Sequence, residues 1–316
     1  MKTNKLLRVF KDDLLVGTLA LTKNMKIAFE YDDKWLATGF SISPFSLPLK
    51  KKVFLPNKNC FDGLFGVFAD SLPDAWGRLL LDRVLQKNGI KPGEISVLDR
   101  LAIVGTSGMG ALSYLPEYKI ITETKGLDLD FLALESKKLL ESEYTDELDT
   151  LYSLAGTSGG ARPKVMMEID GRDWIIKFPA RGEALSVGKL EYDYSLCAKL
   201  CGIDMTETRL FRSNRCQGYF GTTRFDRSKT QTGKSRLHVL TVAALLELDF
   251  EQPSLDYHDL MKLTKILTKD NGSSLENMFR RACFNVFAHN RDDHSKNFSF
   301  IYNEQKHRWQ LSPAYD

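Results

Sequence analysis

The chain has 316 residues, 43% of them hydrophobic, and 44 Lys and Arg against 41 Asp and Glu leave a net charge of +3. That length supports a sizeable core divided into two domains, and the near-neutral balance argues against a direct nucleic-acid surface. No stretch approaches the about 20 apolar residues of a membrane helix, and five cysteines without a C-x-x-C pair offer no disulfide or zinc pattern, a Cys197/Cys201 metal pair being the weaker alternative to small buried hydrophobes.

The N-terminus, MKTNKLLRVF, lacks the apolar core and cleavage site of a signal peptide, so a soluble, cytoplasmic protein is expected. Short hydrophobic runs at 6–10, 14–21 and 25–31, with Asp12-Asp13 and Asp32-Asp33 as turns, predict antiparallel hairpins. Lys50-Lys51-Lys52 reads as a solvated loop. Residues 61–74 lead into a helix capped by Asp70 or Ser71, with Trp76, Leu79, Leu80 and Val84 on one face. A second helix is expected around 96–101. The glycines of 104–112 then suggest tight turns against a strand, since their spacing matches no phosphate loop. Residues 118–150 read as a polar connection plus an amphipathic helix, and the domain boundary is placed near 120–125, separating 1–122 from 123–316.

Beyond it, strands at 165–169 and 174–178 form a hairpin across Asp170-Gly171. A helix over 189–200 places Leu190, Tyr194, Cys197 and Leu200 at helical spacing, with Cys197 and Cys201 expected as small buried hydrophobes. Strands follow near 206–212 and 219–225. The chain beyond 235 is expected to be mainly helical, including 260–267 and 275–288, before strands at 298–302 and 308–311.

Four features in this order carry chemistry. The segment Gly156-Thr157-Ser158-Gly159-Gly160-Ala161-Arg162-Pro163-Lys164 is either a flexible turn or a loop whose backbone N–H groups approach a polyphosphate. Lys177, in the strand Ile175-Ile176-Lys177-Phe178, is either a surface lysine or a holder of α/β-phosphates. Asp292, Asp293, His294 and Asn297 follow an apolar helix. An Asp with an Asn five residues later is the base-and-metal spacing of a kinase catalytic loop. A solvated loop, or a metal pair of His289 and His294, is the alternative. One hairpin later comes Asp316, where kinases place a carboxylate that bridges Mg²⁺ and phosphates.

The segments FDGLFGVFADSLPDAWGR, VGTSGMGALSYLP, GTSGGARPK, IIKFP, TRFDR, HNRDDHSKNFSF and LSPAYD resemble, in order and spacing, the HipA-type serine/threonine kinases, toxins of bacterial toxin–antitoxin pairs. The resemblance covers nearly the whole chain. It implies an α+β fold, with a small β-rich N-terminal domain followed by a two-lobed protein-kinase-like domain. Because that family continues past the metal-binding Asp, the C-terminal helical lobe is expected to be incomplete in this sequence.

By the same resemblance Asp292 is the catalytic base, Asn297 and Asp316 are Mg²⁺ ligands, and His294 sits beside the phosphates. Gly159, Gly160, Ala161, Arg162 and Lys164 belong to the ATP phosphate loop, Lys177 binds phosphates, and Glu191 is its partner. Thr223 and Phe225 belong to the adenine-binding hinge. Thr157 or Ser158 is the autophosphorylated hydroxyl that would eject the loop. The implied partners are a helix-turn-helix antitoxin, which supplies DNA binding, and a protein substrate such as an aminoacyl-tRNA synthetase. A non-catalytic kinase-fold module that holds antitoxin or nucleotide, and a small-molecule or lipid phosphotransferase, are the competing readings.

Overall fold

The computed structural model describes residues 4–57, 60–119, 128–230, 233–252 and 254–316. Strand β1 (Leu6–Lys11) turns at Asp12 (φ 50°) into β2 (Leu14–Leu21), and the alternation that buries Leu7 and Val9 points their faces to the core. After β3 (Ile27–Tyr31) the Asp32 carboxylate accepts the Lys34 N–H and starts α1 (Asp33–Thr38). That pair therefore opens a helix and not a strand turn. β4 (Val53–Phe54), α2 (Gly66–Ala69), α3 (Ala75–Lys87), α4 (Val97–Val104) and β5 (Leu112–Leu115) follow, and the sheet order is β4-β3-β2-β1-β5, antiparallel throughout. Helix α4 begins with a Ser96/Asp99 capping box.

Neither expected cap serves α3. Asp70 accepts the Thr241 N–H and hydroxyl, Ser71 bonds the Tyr114 hydroxyl, and the cap position falls to Asp74, whose carboxylate makes no bond to its own helix. The expected face is buried: Trp76, Leu80 and Val84 pack against the second half of the chain.

That half opens with α5 (Leu129–Leu140) and α6 (Leu148–Ala155). A four-stranded antiparallel sheet follows, ordered β6-β7-β9-β8, from β6 (Lys164–Ile169), β7 (Arg172–Lys177), β8 (Thr208–Phe211) and β9 (Tyr219–Thr223). Asp170 (φ 51°) and Gly171 (φ 70°) form the two-residue turn of the β6/β7 hairpin. Helix α7 (Val187–Leu200) lies against β8 and β9 through Gly188, Ser195 and Ala198, and a Cβ on Gly188 would stand 2.3 Å from the Gly218 carbonyl. This close approach through small residues turns the expected apolar stripe outward. Leu190 and Leu200 are 56% and 89% exposed, and Cys197 and Cys201 are exposed where burial was expected.

The remaining elements are the hairpin β10 (Arg227–Thr230) and β11 (Gly233–Arg236), then β12 (Val239–Thr241), α8 (Val242–Leu246), α9 (Tyr257–Leu267), α10 (Gly272–Phe287), β13 (Ser299–Asn303) and β14 (Arg308–Leu311). A three-stranded sheet, β12-β13-β14, thus lies among helices that the sequence led us to expect there. One apolar cluster runs from Leu7, Phe29 and Phe68 to Leu240, Leu263, Met278 and Phe300, and a second joins α3, α5 and α6 to Val165, Trp174 and Ile176. The boundary expected near 120–125 lies outside the described residues. Among the described residues no helix is long and apolar enough to cross a membrane.

Candidate active site

Period-2 alternation along β7 sends Trp174 and Ile176 into the core and Lys177 to the opposite face. There its Nζ is paired with the Glu191 carboxylate on α7 and with Asp316, and lies 5.5 Å from the Phe220 ring centroid. Burial alone would lower the lysine's pKa, but Asp316 and Glu191 reverse this and hold the ammonium well above its ordinary value. The cost of desolvating Asp316 is likewise outweighed by Lys177, Lys164 and Arg162, which hold its carboxyl below the usual range. Glu191 also bonds Arg162, whose second guanidinium nitrogen reaches Glu183 at 2.7 Å.

Asp316 is carried by a laced segment. Ala314 exchanges backbone bonds with Asp204 (2.8 Å) and Thr206 (2.9 Å), and the Tyr315 hydroxyl donates to the Lys296 carbonyl at 2.6 Å. The Tyr315 ring stacks on Phe225 at 5.0 Å, which brings the expected hinge beside Asp316. Thr223, by contrast, pairs with Trp174, and its hydroxyl turns to the Glu207 carbonyl. A cleft of about 280 Å³ lined by Arg172, Asp173, Glu207, Thr223, Arg224 and Arg227 opens there. Arg172 and Lys177 stand at opposite ends of β7, roughly 17 Å apart, so this cleft is not where phosphates would meet the lysine.

The glycine-rich segment lies against the start of α3. Trp76 N–H donates to the Gly160 carbonyl (3.2 Å), its indole N–H to the Lys164 carbonyl (3.0 Å), and the Thr157 hydroxyl to the Ser107 carbonyl (3.2 Å). Ser158 is buried, while Gly159, Gly160 and Ala161 are exposed. Gly160 adopts φ 82°, a conformation that favours glycine, and its N–H donates to the Asp74 carboxylate. Lys164 is buried opposite Lys177 in the ladder, its Nζ on the Gly159 carbonyl at 2.6 Å. Burial, then the Lys177 charge, push its pKa down to about 8.

The loop after α10 separates its two acids. Asp293 accepts the Tyr257 hydroxyl, itself bonded by Asn285 at 2.9 Å. Asp292 keeps 77% of its side chain exposed, with His294 Nε2 at 3.4 Å. Asn297 donates its Nδ2–H to the Asp292 carbonyl at 2.6 Å, a bond that does not engage its amide oxygen. His294 Nδ1 accepts the Lys296 N–H at 3.3 Å, while Lys296 Nζ reaches Asp74 at 2.6 Å. No group of three or more His, Cys, Asp or Glu that could hold a metal occurs among the described residues, which leaves His289 and His294 without a third ligand of that kind. Sequence reasoning passed over Asp74, Lys296 and Glu183. Their partners lie far away in sequence for the first two, and no local spacing signals any of them.

A lysine on an antiparallel sheet, paired with a glutamate on the packed helix and facing a glycine-rich segment, puts the chain in the class of kinase-like folds. A HipA chain of Shewanella oneidensis MR-1, solved in complex with HipB and operator DNA, has this fold. It superposes with a TM-score of 0.71 over 98% of this chain and 75% of that one, at 19% identity. A protein of Sinorhizobium fredii (strain NBRC 101917 / NGR234) named "Putative kinase Y4mE" is 26% identical over 99% of this chain and 77% of its own length. Residues 156–316 match the HipA-like C-terminal domain and residues 7–115 the HipA N-terminal domain. The chain belongs to the HipA family.

Proposed function

We propose that the chain is an ATP- and Mg²⁺-dependent serine/threonine kinase and the toxin of a toxin–antitoxin pair. The observation that carries this reading is the buried Lys177 held between Glu191 and Asp316 beside a glycine-rich segment. Kinship with HipA proteins and with the relative named "Putative kinase Y4mE" supports it.

In this reading Lys177, oriented by Glu191, binds the α/β-phosphates, and the exposed Asp292 takes the proton of the acceptor hydroxyl. Gly159 to Arg162 and Lys164 line the phosphates, and Thr223 to Phe225 offer backbone carbonyls to the adenine, the Thr223 and Arg224 N–H groups being bonded to the Glu207 and Asp173 carbonyls. The Asn297 amide oxygen and the Asp316 carboxylate are hard oxygen donors that fit Mg²⁺, which when bound neutralises charge on the phosphate oxygens. His294 holds the loop by accepting the Lys296 N–H. Autophosphorylation at Thr157 or Ser158 requires the loop to leave the N-terminal half of the chain, because the Thr157 hydroxyl is bonded to the Ser107 carbonyl and Ser158 is buried. The protein substrate is a Ser- or Thr-bearing cellular protein such as an aminoacyl-tRNA synthetase. An antitoxin supplies DNA contact, as the Shewanella HipA–HipB–operator complex suggests by analogy.

The test is phosphate incorporation from labelled ATP and Mg²⁺ by the full chain, beside Asp292→Asn and Lys177→Met. Asp292→Asn should lose about 10²–10⁴-fold of transfer while still binding nucleotide. Lys177→Met should lose both. Binding of ATP without labelling of any protein would replace this reading with a non-catalytic module. Labelled lipid in place of protein would point to a different phosphotransferase.

A further inference from the structure

We propose that Asp74 occupies a phosphate position on the glycine-rich loop, so that polyphosphate binding and attachment of α3 to that loop exclude one another. The proposal rests on the reading of 156–164 as the phosphate loop.

An aspartate at a helix N-cap ordinarily accepts the N–H groups of its own first turn. Asp74 does not. One carboxylate oxygen accepts the Gly160 N–H, across 86 residues, and the other accepts Lys296 Nζ at 2.6 Å, across 222. A backbone N–H at a left-handed glycine and an ammonium from the acidic loop are the donors that a phosphate oxygen would use. Lys164 Nζ lies on the same loop, and the Asp74 charge acts on it. A Cβ on Gly159 would stand 3.3 Å from the Asp74 carboxylate, so the acid is seated against the loop backbone.

One N–H serves one strong acceptor. A polyphosphate that takes the Gly160 N–H must displace Asp74, and two anions at that separation repel. Displacement frees Asp74 to cap α3 and weakens the Trp76–Gly160 bond, so loop occupancy is felt in the N-terminal half of the chain. By reciprocity, anything that fastens α3 to the loop lowers polyphosphate affinity. A purely structural clamp would act in the opposite direction, because its removal would loosen the loop and weaken binding.

Calorimetric titration of the full chain with inorganic tripolyphosphate, with a non-hydrolysable ATP analogue and with adenosine tests this in the unmodified protein and in Asp74→Asn. Affinity for the two phosphate ligands should rise about tenfold in the variant, as expected when a competing state is removed, with adenosine unchanged. Unchanged or weaker tripolyphosphate binding overturns the proposal and leaves the phosphate-loop reading intact. Absence of phosphate-ligand binding by either protein ends both. Independently of the variant's folding, saturating tripolyphosphate should speed amide exchange at Trp76 in the unmodified chain, and slower exchange there would sink the idea.

Discussion

Asp226 gives the sharpest prediction about how the segment after β9 is held. It is 3% exposed, and its carboxylate accepts bonds from Arg224 (3.0 and 2.7 Å), Arg227 (2.7 Å) and the Gly110 N–H (2.9 Å). Arg227 and Arg236 in turn donate to the carbonyls of Gly108, Gly110 and Leu112, so one acid fastens the segment after β9 to the strand that closes the N-terminal sheet. Burial by itself would raise its pKa, but Arg224 and Arg227 dominate and hold it at about 2. At about 1.4 kcal/mol per pKa unit, a fall from 3.8 to about 2 is worth about 2 kcal/mol at neutral pH. Asp226→Asn removes that same charge and leaves the guanidinium groups without it, so the expected loss at pH 7 is about 2 kcal/mol, the amount that protonation of the acid itself removes.

Urea unfolding of both proteins at several pH values measures this. Because the folded pKa is depressed, the acid's contribution is complete above the unfolded value of 3.8 and is lost as pH falls through about 2. The gap between wild type and variant should therefore be constant above pH 5 and close on acidification. A loss under about 1 kcal/mol at pH 7, or a gap that persists at pH 2, would refute the reasoning.

Lys164, with its pKa pushed down to about 8, should take up a proton when polyphosphate binds near that pH. Titrations in two buffers of different ionisation enthalpy should then disagree, and should agree in Lys164→Met. Because that folded pKa lies below 10.5, the lysine's own contribution to stability should increase by about 3 kcal/mol as pH rises from 8 to 10.5, read from urea unfolding as the change in the gap between wild type and Lys164→Met. Gly77→Ala, worth about 1 kcal/mol of gain in an open helix, should instead lower the melting temperature and expose 156–163 to protease. Its Cβ would stand 2.5 Å from the Ser158 carbonyl. Asp292→Asn should leave the urea midpoint within about 0.5 kcal/mol of wild type, because the side chain is 77% exposed.

Local signals were readable without coordinates. Asp170-Gly171 specified the β6/β7 hairpin because both residues tolerate positive φ, and the periodicity of 260–267 and 275–288 marked α9 and α10. The order of glycine segment, lysine strand, acidic loop and terminal acid was legible for the same reason, since each is a short run with its own chemistry. Other features were not legible. Strand β12 is three residues long, too short for a period, and the apolar stripe of α7 faces outward because small residues made the closer packing surface.

The cap of α3 shows the physical reason most plainly. Asp70, Ser71 and Asp74 are all competent caps by type, and the sequence could rank them only by proximity to the helix. Their real partners are Thr241, Tyr114, Gly160 and Lys296, between 43 and 222 residues away. A carboxylate binds the best donors within reach, and which donors those are is set only when the two halves of the chain pack together.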